Sequence, residues 1–106
     1  MIIVSFETKE SRVVCEDPSV AESELGGDVA RLLRARLADL RSADGLFDLP
    51  TGNPRIDGNH YLLDLGTAAT MRWVPSGKSA EPADTSGIDW ARVNRVKLVS
   101  IDRGTG

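Results

Sequence analysis

The sequence predicts an α+β domain in which two N-terminal helices pack on one face of a small, mainly antiparallel sheet. Apolar residues recur at spacings of three and four between residues 28 and 42, which is typical of an amphipathic helix. Apolar stretches of strand length stand at residues 2–6, 61–65, 69–74 and 96–101. Because one strand precedes the helices and three follow them, we expect the helices to cover one face of the sheet and to leave the other open.

The elements before residue 43 follow from local patterns. Residues 2–6 alternate as a strand does, and residues 7–16 are compatible with a short helix. Asp17-Pro18 is typical of a helix start, because Asp accepts hydrogen bonds from first-turn amides and Pro lacks the amide that would be unpaired there. Gly26-Gly27 interrupts the helical pattern, so two helices and one long helix with a soft joint both remain open. The last helix carries an apolar stripe of Val29, Leu32, Leu33, Leu37 and Leu40.

The second half of the chain alternates loops and strands. Residues 50–58 are rich in Pro, Thr, Gly, Asn and Asp and are predicted to form a loop. A turn at Gly66-Thr67 separates the strands at 61–65 and 69–74, and residues 75–87 are predicted to be an exposed loop. Asp89 is a candidate cap for a short helical turn before the last strand.

Length, charge and cysteine content limit the class of protein. The chain has 106 residues, which fits one domain over residues 1–106 with a core that needs no metal or disulfide. The single cysteine, Cys15, fits a reducing compartment, and no apolar stretch approaches the roughly 18 residues of a membrane span. We therefore predict a cytoplasmic protein without membrane contact.

The net charge of −3 argues against a general nucleic-acid binder but permits a local phosphate-binding patch. Residues 1–24 carry six acidic and two basic side chains, for a balance of −4, while residues 50–106 carry six acidic and seven basic side chains.

Three stretches resemble the RelE/ParE-type toxins of bacterial toxin–antitoxin pairs, most closely the host-inhibition-of-growth killer subgroup. Residues 24–40 are similar to the second helix of these toxins, with glycines before a repeated Arg-Leu pattern. Leu62-Leu-Asp-Leu65 followed by Met71-Arg-Trp-Val-Pro75 is similar to their paired central strands. Gly87-Ile-Asp-Trp90 followed by residues 96–101 is similar to the segment that leads into their last strand.

The resemblance implies a RelE/ParE-like fold and a toxin that cuts messenger RNA, usually on the ribosome, without a metal or other cofactor. It also implies a cognate antitoxin protein as partner, and a homodimer stays open. Some relatives act on DNA gyrase instead. In the RNA-cutting members, basic side chains on the open face of the sheet hold the phosphate, where positive charge stabilises the transition state.

Five residues are candidates for that chemistry. Arg72 lies between Met71 and Trp73, so alternation places it on the face opposite those apolar side chains; phosphate contact and a surface ion pair are both open for it. His60 is the only histidine and a candidate proton acceptor, because its pKa ordinarily lies near neutrality. Arg103 follows the last strand, and Arg55 and Lys78 flank the central strands as candidate phosphate contacts.

The end of the last strand departs from the resemblance. The family often has an acidic residue followed by Tyr-His there, whereas this chain reads Ile101-Asp-Arg-Gly104. A second hypothesis is therefore a catalytically inactive or gyrase-directed relative that acts as a protein-binding module. A third is an unrelated α+β protein.

Overall fold

The computed structural model describes residues 1–77 and 89–103, and within them it confirms the α+β class. The strands are β1 (Ile3–Phe6), β2 (Arg55–Asp57), β3 (His60–Leu65), β4 (Ala69–Pro75) and β5 (Arg95–Arg103). The helices are α1 (Lys9–Glu16), α2 (Pro18–Leu25) and α3 (Gly27–Ser42), with a short 3-10 helix at Trp90–Arg92. The three described α-helices match the short helix predicted at residues 7–16 and the alternative with two helices around Gly26-Gly27, and they are one more than the two packed helices of the predicted architecture.

The five strands form one mixed sheet in the order β1-β5-β4-β3-β2. The pairs β2–β3, β3–β4 and β4–β5 are antiparallel, and β1 runs parallel to β5, so the sheet is mainly antiparallel as predicted. The residues of β2 lie within the stretch 50–58, which was predicted to be a loop because of its composition. The strand forms because Gly58 and Asn59 make a two-residue turn that folds residues 55–57 back onto β3.

Side-chain caps and a glycine divide the helical region. Thr8 Oγ1 accepts a hydrogen bond of 3.1 Å from the amide of Ser11 at the start of α1. Asp17 accepts one of 3.0 Å from the amide of Ser19, with Pro18 in the first turn of α2, so the predicted helix start is confirmed. Gly26 has a φ of +86°, a left-handed conformation that favours glycine, and it separates α2 from α3. The soft-joint alternative is therefore wrong.

The buried face of α3 is rotated slightly about the helix axis from the apolar stripe that the sequence predicted. Leu33, Leu37 and Leu40 are buried as expected, whereas Val29 and Leu32 are only partly covered. Ala30 and Arg36 occupy the remaining buried positions. An arginine is tolerated there because its guanidinium reaches oxygen acceptors, as described below.

The core lies between the helices and one face of the sheet. Its largest buried side chains include Trp73, Tyr61, Leu63 and Met71 from the central strands. The Tyr61 hydroxyl donates to the carbonyl oxygen of Leu46, and burial raises the pKa of this phenol. The indole nitrogen of Trp73 is buried and has no hydrogen-bond partner among the residues that the structure describes.

Cys15 is partly buried on α1 and packs against this core. Burial raises the pKa of its thiol to about 12. The thiol is thus protonated near neutral pH and is a poor nucleophile.

Two features predicted near residue 89 are only partly described. The loop predicted at residues 75–87 and the Gly87-Ile88 start of the third similar stretch lie largely outside the described residues. The helical turn is present at Trp90–Arg92, but the Asp89 side chain does not cap it. It pairs instead with Arg92 at 3.4 Å, because the guanidinium offers a charged donor one turn away.

Candidate functional site

The face of the sheet that the helices leave open carries the candidate site. On β4 the residues Ala69, Met71, Trp73 and Pro75 are buried, while those between them are partly exposed on the opposite side. Arg72 therefore faces the open side, as alternation predicts. The register sets it between Leu62 of β3 and Ser100 of β5.

Arg72 is held by a carboxylate in this structure. Its Nε lies 3.1 Å from Oδ2 of Asp102, and the two side chains are 31% and 49% exposed. Of the two interpretations left open for Arg72, the surface ion pair is thus the one that the structure contains. An exposed pair of this kind contributes about 0–1 kcal/mol, so a phosphate could replace the carboxylate at little cost.

A β-bulge in β5 brings Asp102 to this face. Trp73 is paired with Leu98 but Arg72 with Ser100, so Val99 is an extra residue on the β5 side. Because of this extra residue, each side chain after the bulge projects to the face opposite to the one that simple alternation counted from Val96 would give. Asp102 consequently lies opposite Thr70 on the open side, within reach of Arg72.

Arg55 is also paired, with Asp64 of the neighbouring strand. Its Nη2 lies 3.1 Å from Asp64 Oδ1, and its Nη1 donates to the carbonyl oxygen of Asn53 at 3.1 Å. Asp64 further accepts hydrogen bonds from Thr70 Oγ1 at 3.1 Å and from the amide of the Asn53 side chain at 3.5 Å. Asp64 is thus the centre of a polar network on the open face.

The network keeps Asp64 ionised. Desolvation raises the pKa of this carboxyl, but the hydrogen bonds from Arg55, Thr70 and Asn53 and the charge of Arg55 outweigh it. The net result is a pKa below the usual range of an aspartate. The carboxylate therefore stays negative near neutral pH and competes with any phosphate for Arg55.

Arg36 supports this network from the helix side, and the sequence analysis missed it. Its side chain is 8% exposed, its Nε donates to the backbone oxygen of Asp64 at 3.0 Å, and its Nη1 donates to Thr51 Oγ1 at 2.7 Å. Gly52 permits the approach, since a Cβ there would lie 2.7 Å from Arg36 Nε. The signal was present in the sequence: Arg36 falls one turn from Leu33 and Leu40, on the apolar side of α3.

His60 and Lys97 share the open face with Arg72. His60 begins β3 opposite Asp57, two residues before Leu62, so both side chains project to the same side. The His60 side chain makes no hydrogen bond or ion pair with the described residues, and the same holds for the side chain of Lys97, which lies opposite Val74. Lys97 was missed, although its place between the buried Val96 and Leu98 identifies it as a residue of the open side.

The remaining two candidates are not part of this cluster. Arg103 lies opposite Ala69 on the helix side, because the bulge reverses the faces, and its guanidinium donates to the backbone oxygen of Glu24 at the end of α2. Lys78 lies outside the described residues. The structure thus brings Arg72, Arg55 and His60 to one face and places Arg103 on the other.

The open face can hold an anion through its basic groups, but it is not strongly positive. In the described residues the register places four basic and three acidic side chains there: Arg55, Arg72, Arg95 and Lys97, with Asp57, Asp64 and Asp102. The excess is one positive charge, apart from His60. Among the same residues, no group of three His, Cys, Asp or Glu side chains is arranged to hold a metal ion.

Comparison of the chain with protein-family models, curated proteins and solved structures found no match. None of the helices in residues 1–77 and 89–103 has the length and apolarity needed to cross a bilayer. The functional argument therefore rests on the residues of the open face.

Proposed function

We propose that this chain is the toxin component of a type II toxin–antitoxin pair with a RelE/ParE-like fold, and that it acts on messenger RNA in the cytoplasm. The observation that carries the proposal is the cluster of Arg72, Lys97 and His60 on the sheet face that none of the described helices covers. The order of elements, one strand, then helices, then an antiparallel set of strands, supports it.

In this mechanism Arg72 binds the scissile phosphate. Its planar fork offers two parallel hydrogen bonds to phosphate oxygens, and Asp102 is displaced when RNA enters. Lys97 on the neighbouring strand adds a second positive charge that stabilises the pentacoordinate transition state.

His60 is the proton acceptor of the proposed reaction. It takes the proton of the ribose 2′-hydroxyl as that oxygen attacks phosphorus, and the 5′-oxygen of the next nucleotide leaves with a proton from water. An imidazole is the side chain that most often serves as a general base near neutral pH, and His60 is the one histidine of the sequence.

A protein-binding module without RNA cleavage is the second candidate, and two observations favour it. Arg72 and Arg55 are each paired with an aspartate, which lowers the positive potential that a phosphate would meet. Arg103 is directed to the helix side, so it cannot assist at Arg72. Such a module would still bind an antitoxin or, as in gyrase-directed relatives, another protein.

Induced expression in a bacterium, followed by growth and by RNA cleavage in a purified translation mixture, tests the proposal. Wild-type chain is expected to stop growth and to cut RNA. Arg72→Ala is expected to abolish both with nearly unchanged melting temperature, because an exposed ion pair contributes little to stability. Arg34→Ala, on the exposed side of α3, is the matched control and should remain active.

The results separate the two candidates. Growth arrest without RNA cleavage, unaffected by Arg72→Ala or by His60→Gln, would favour the protein-binding module. Co-expression with the small neighbouring reading frame tests the partner: a cognate antitoxin should restore growth and co-purify with this chain. An inert wild-type chain would contradict the toxin assignment.

A further inference from the structure

The free edge of β2 exposes backbone hydrogen-bonding groups. This strand is last in the sheet order, and within residues 1–77 and 89–103 it pairs only with β3. Asp57 and His60 flank the two-residue turn, and a turn of this length hydrogen-bonds the residues on either side of it. Because hydrogen-bonded and non-bonded pairs alternate along an antiparallel ladder, Ile56 directs its N–H and C=O away from β3.

Two apolar side chains lie exposed beside this edge. Ile56 is 36% exposed, and its cross-strand neighbour is the buried Tyr61. Phe47 is 51% exposed and packs edge-on against Tyr61, with ring centroids 6.0 Å apart. A strand edge with exposed apolar residues is a template for pairing with another chain.

The charges that flank Ile56 are self-complementary. When two copies of Arg55-Ile56-Asp57 run antiparallel about Ile56, each Arg55 stands opposite the Asp57 of the other copy. The Asp57 side chain is exposed and makes no hydrogen bond or ion pair with the described residues, and the Arg55 side chain is 40% exposed. A two-fold axis at Ile56 therefore brings both Arg55–Asp57 pairs of the dimer into contact together.

We propose that two copies of this chain pair through β2 to form a symmetric dimer with one continuous sheet. Reciprocal backbone hydrogen bonds join the two Ile56 residues, the Phe47 rings flank them on the helix side, and Arg55–Asp57 pairs flank them on the open side. The inference is independent of the proposed function. Pro54, at the next outward-facing position, has no N–H to donate, so the contact is short and the dimer is weak.

The other edge of the sheet does not offer the same complementarity. The strand β1 exposes Ile3, which is 44% exposed, but the strand carries no charged residue. It therefore supplies a control of similar exposure at the opposite edge.

Sedimentation equilibrium over a concentration series tests the dimer. Wild-type chain is expected to associate reversibly to a dimer, and Ile56→Lys is expected to weaken the association by at least about tenfold. Ile3→Lys should associate as the wild type does. A wild type that stays monomeric at the highest concentration, or an association that Ile3→Lys abolishes and Ile56→Lys does not, overturns the proposal.

A charge exchange gives a second, more specific test. Arg55→Asp and Asp57→Arg should each remain monomeric alone, because like charges then face one another across the two-fold axis. An equimolar mixture of the two should form a heterodimer, since one copy then carries both positive and the other both negative charges. Circular dichroism confirms that each variant is folded. Folded variants whose mixture fails to associate would rule out the β2 interface.

Discussion

At the residue scale, the most informative side chain is the buried Arg36. Its charge is taken out of water with a backbone oxygen and a hydroxyl as partners, and no carboxylate is paired with it among the described residues. A planar guanidinium suits this arrangement because Nε and Nη1 donate to two acceptors held at a fixed spacing. The side chain thus joins α3 to the loop at Thr51 and to the backbone of Asp64.

Arg36→Lys is expected to destabilise the chain by about 1–3 kcal/mol, because a lysine keeps the buried charge but cannot reach both acceptors from one rigid plane. Chemical denaturation at neutral pH measures the difference. Arg34→Lys, on the exposed side of the same helix, should change the unfolding free energy by less than about 0.5 kcal/mol. Equal effects of the two substitutions would show that Arg36 is not a structural link.

The pH dependence of stability should report on Asp64. Its pKa is lower in the folded chain than in the unfolded chain, where an aspartate titrates near about 3.9. The resulting stabilisation is complete above the unfolded pKa and is lost as the pH falls through the folded pKa. Unfolding midpoints of wild type and Asp64→Asn should therefore differ at about pH 6 and converge at lower pH, as that linkage requires.

The matched control for this pH series is Asp44→Asn, at an exposed position after α3. A substitution at such a surface position should change stability by less than about 0.5 kcal/mol. A difference between wild type and Asp64→Asn that stays constant with pH would contradict the role of the Asp64 carboxylate.

At the scale of elements, α3 shows what periodicity can and cannot predict. Spacings of three and four located the helix well, but they could not decide which of two adjacent apolar stripes is buried. Leu32 and Leu33 both belonged to the predicted stripe, and only Leu33 is fully covered. The buried face of α3 depends on the residue at which the helix begins, after Gly26, and on the oxygen atoms that accept hydrogen bonds from Arg36.

Leu33→Ala is expected to cost about 2–5 kcal/mol, since it removes buried methyl groups and leaves a cavity. Leu32→Ala should cost clearly less, because part of that side chain already lies in solvent. Urea unfolding of both variants provides the comparison. A larger loss for Leu32→Ala would place the opposite face of α3 in the core.

The strands show a second limit of sequence reasoning. The strand β4 was predicted well because strict alternation extends over seven residues. The strand β2 was missed because three residues are too few to show a period among turn-forming neighbours. The bulge at Val99 was missed because one extra residue reverses the faces without altering the composition, and so the position of Arg103 could not be predicted.

At the scale of the whole molecule, charge is distributed unevenly between the two layers. Residues 1–24, which include α1 and most of α2, carry six acidic and two basic side chains. The open face of the sheet carries one more basic than acidic group among the described residues. An anionic polymer would therefore meet repulsion on the helical side and weak attraction on the sheet side, which orients its approach. If two copies pair through β2 with the two-fold axis perpendicular to the sheet, the open faces of both copies lie on the same side of the dimer.

The parallel pairing of β1 with β5 has a consequence for synthesis. Among the described strands, the first in chain order pairs with the last, and β5 lies between β1 and β4 in the interior of the sheet. While a nascent chain lacks β5, β1 lacks the strand with which it pairs in the described sheet, and neither Lys97 nor Asp102 is present beside Arg72. The open face is therefore completed only after β5 has been synthesised and has left the ribosome. Long-range pairing of this kind slows folding, and it delays any activity of this face until β5 has paired with its neighbouring strands.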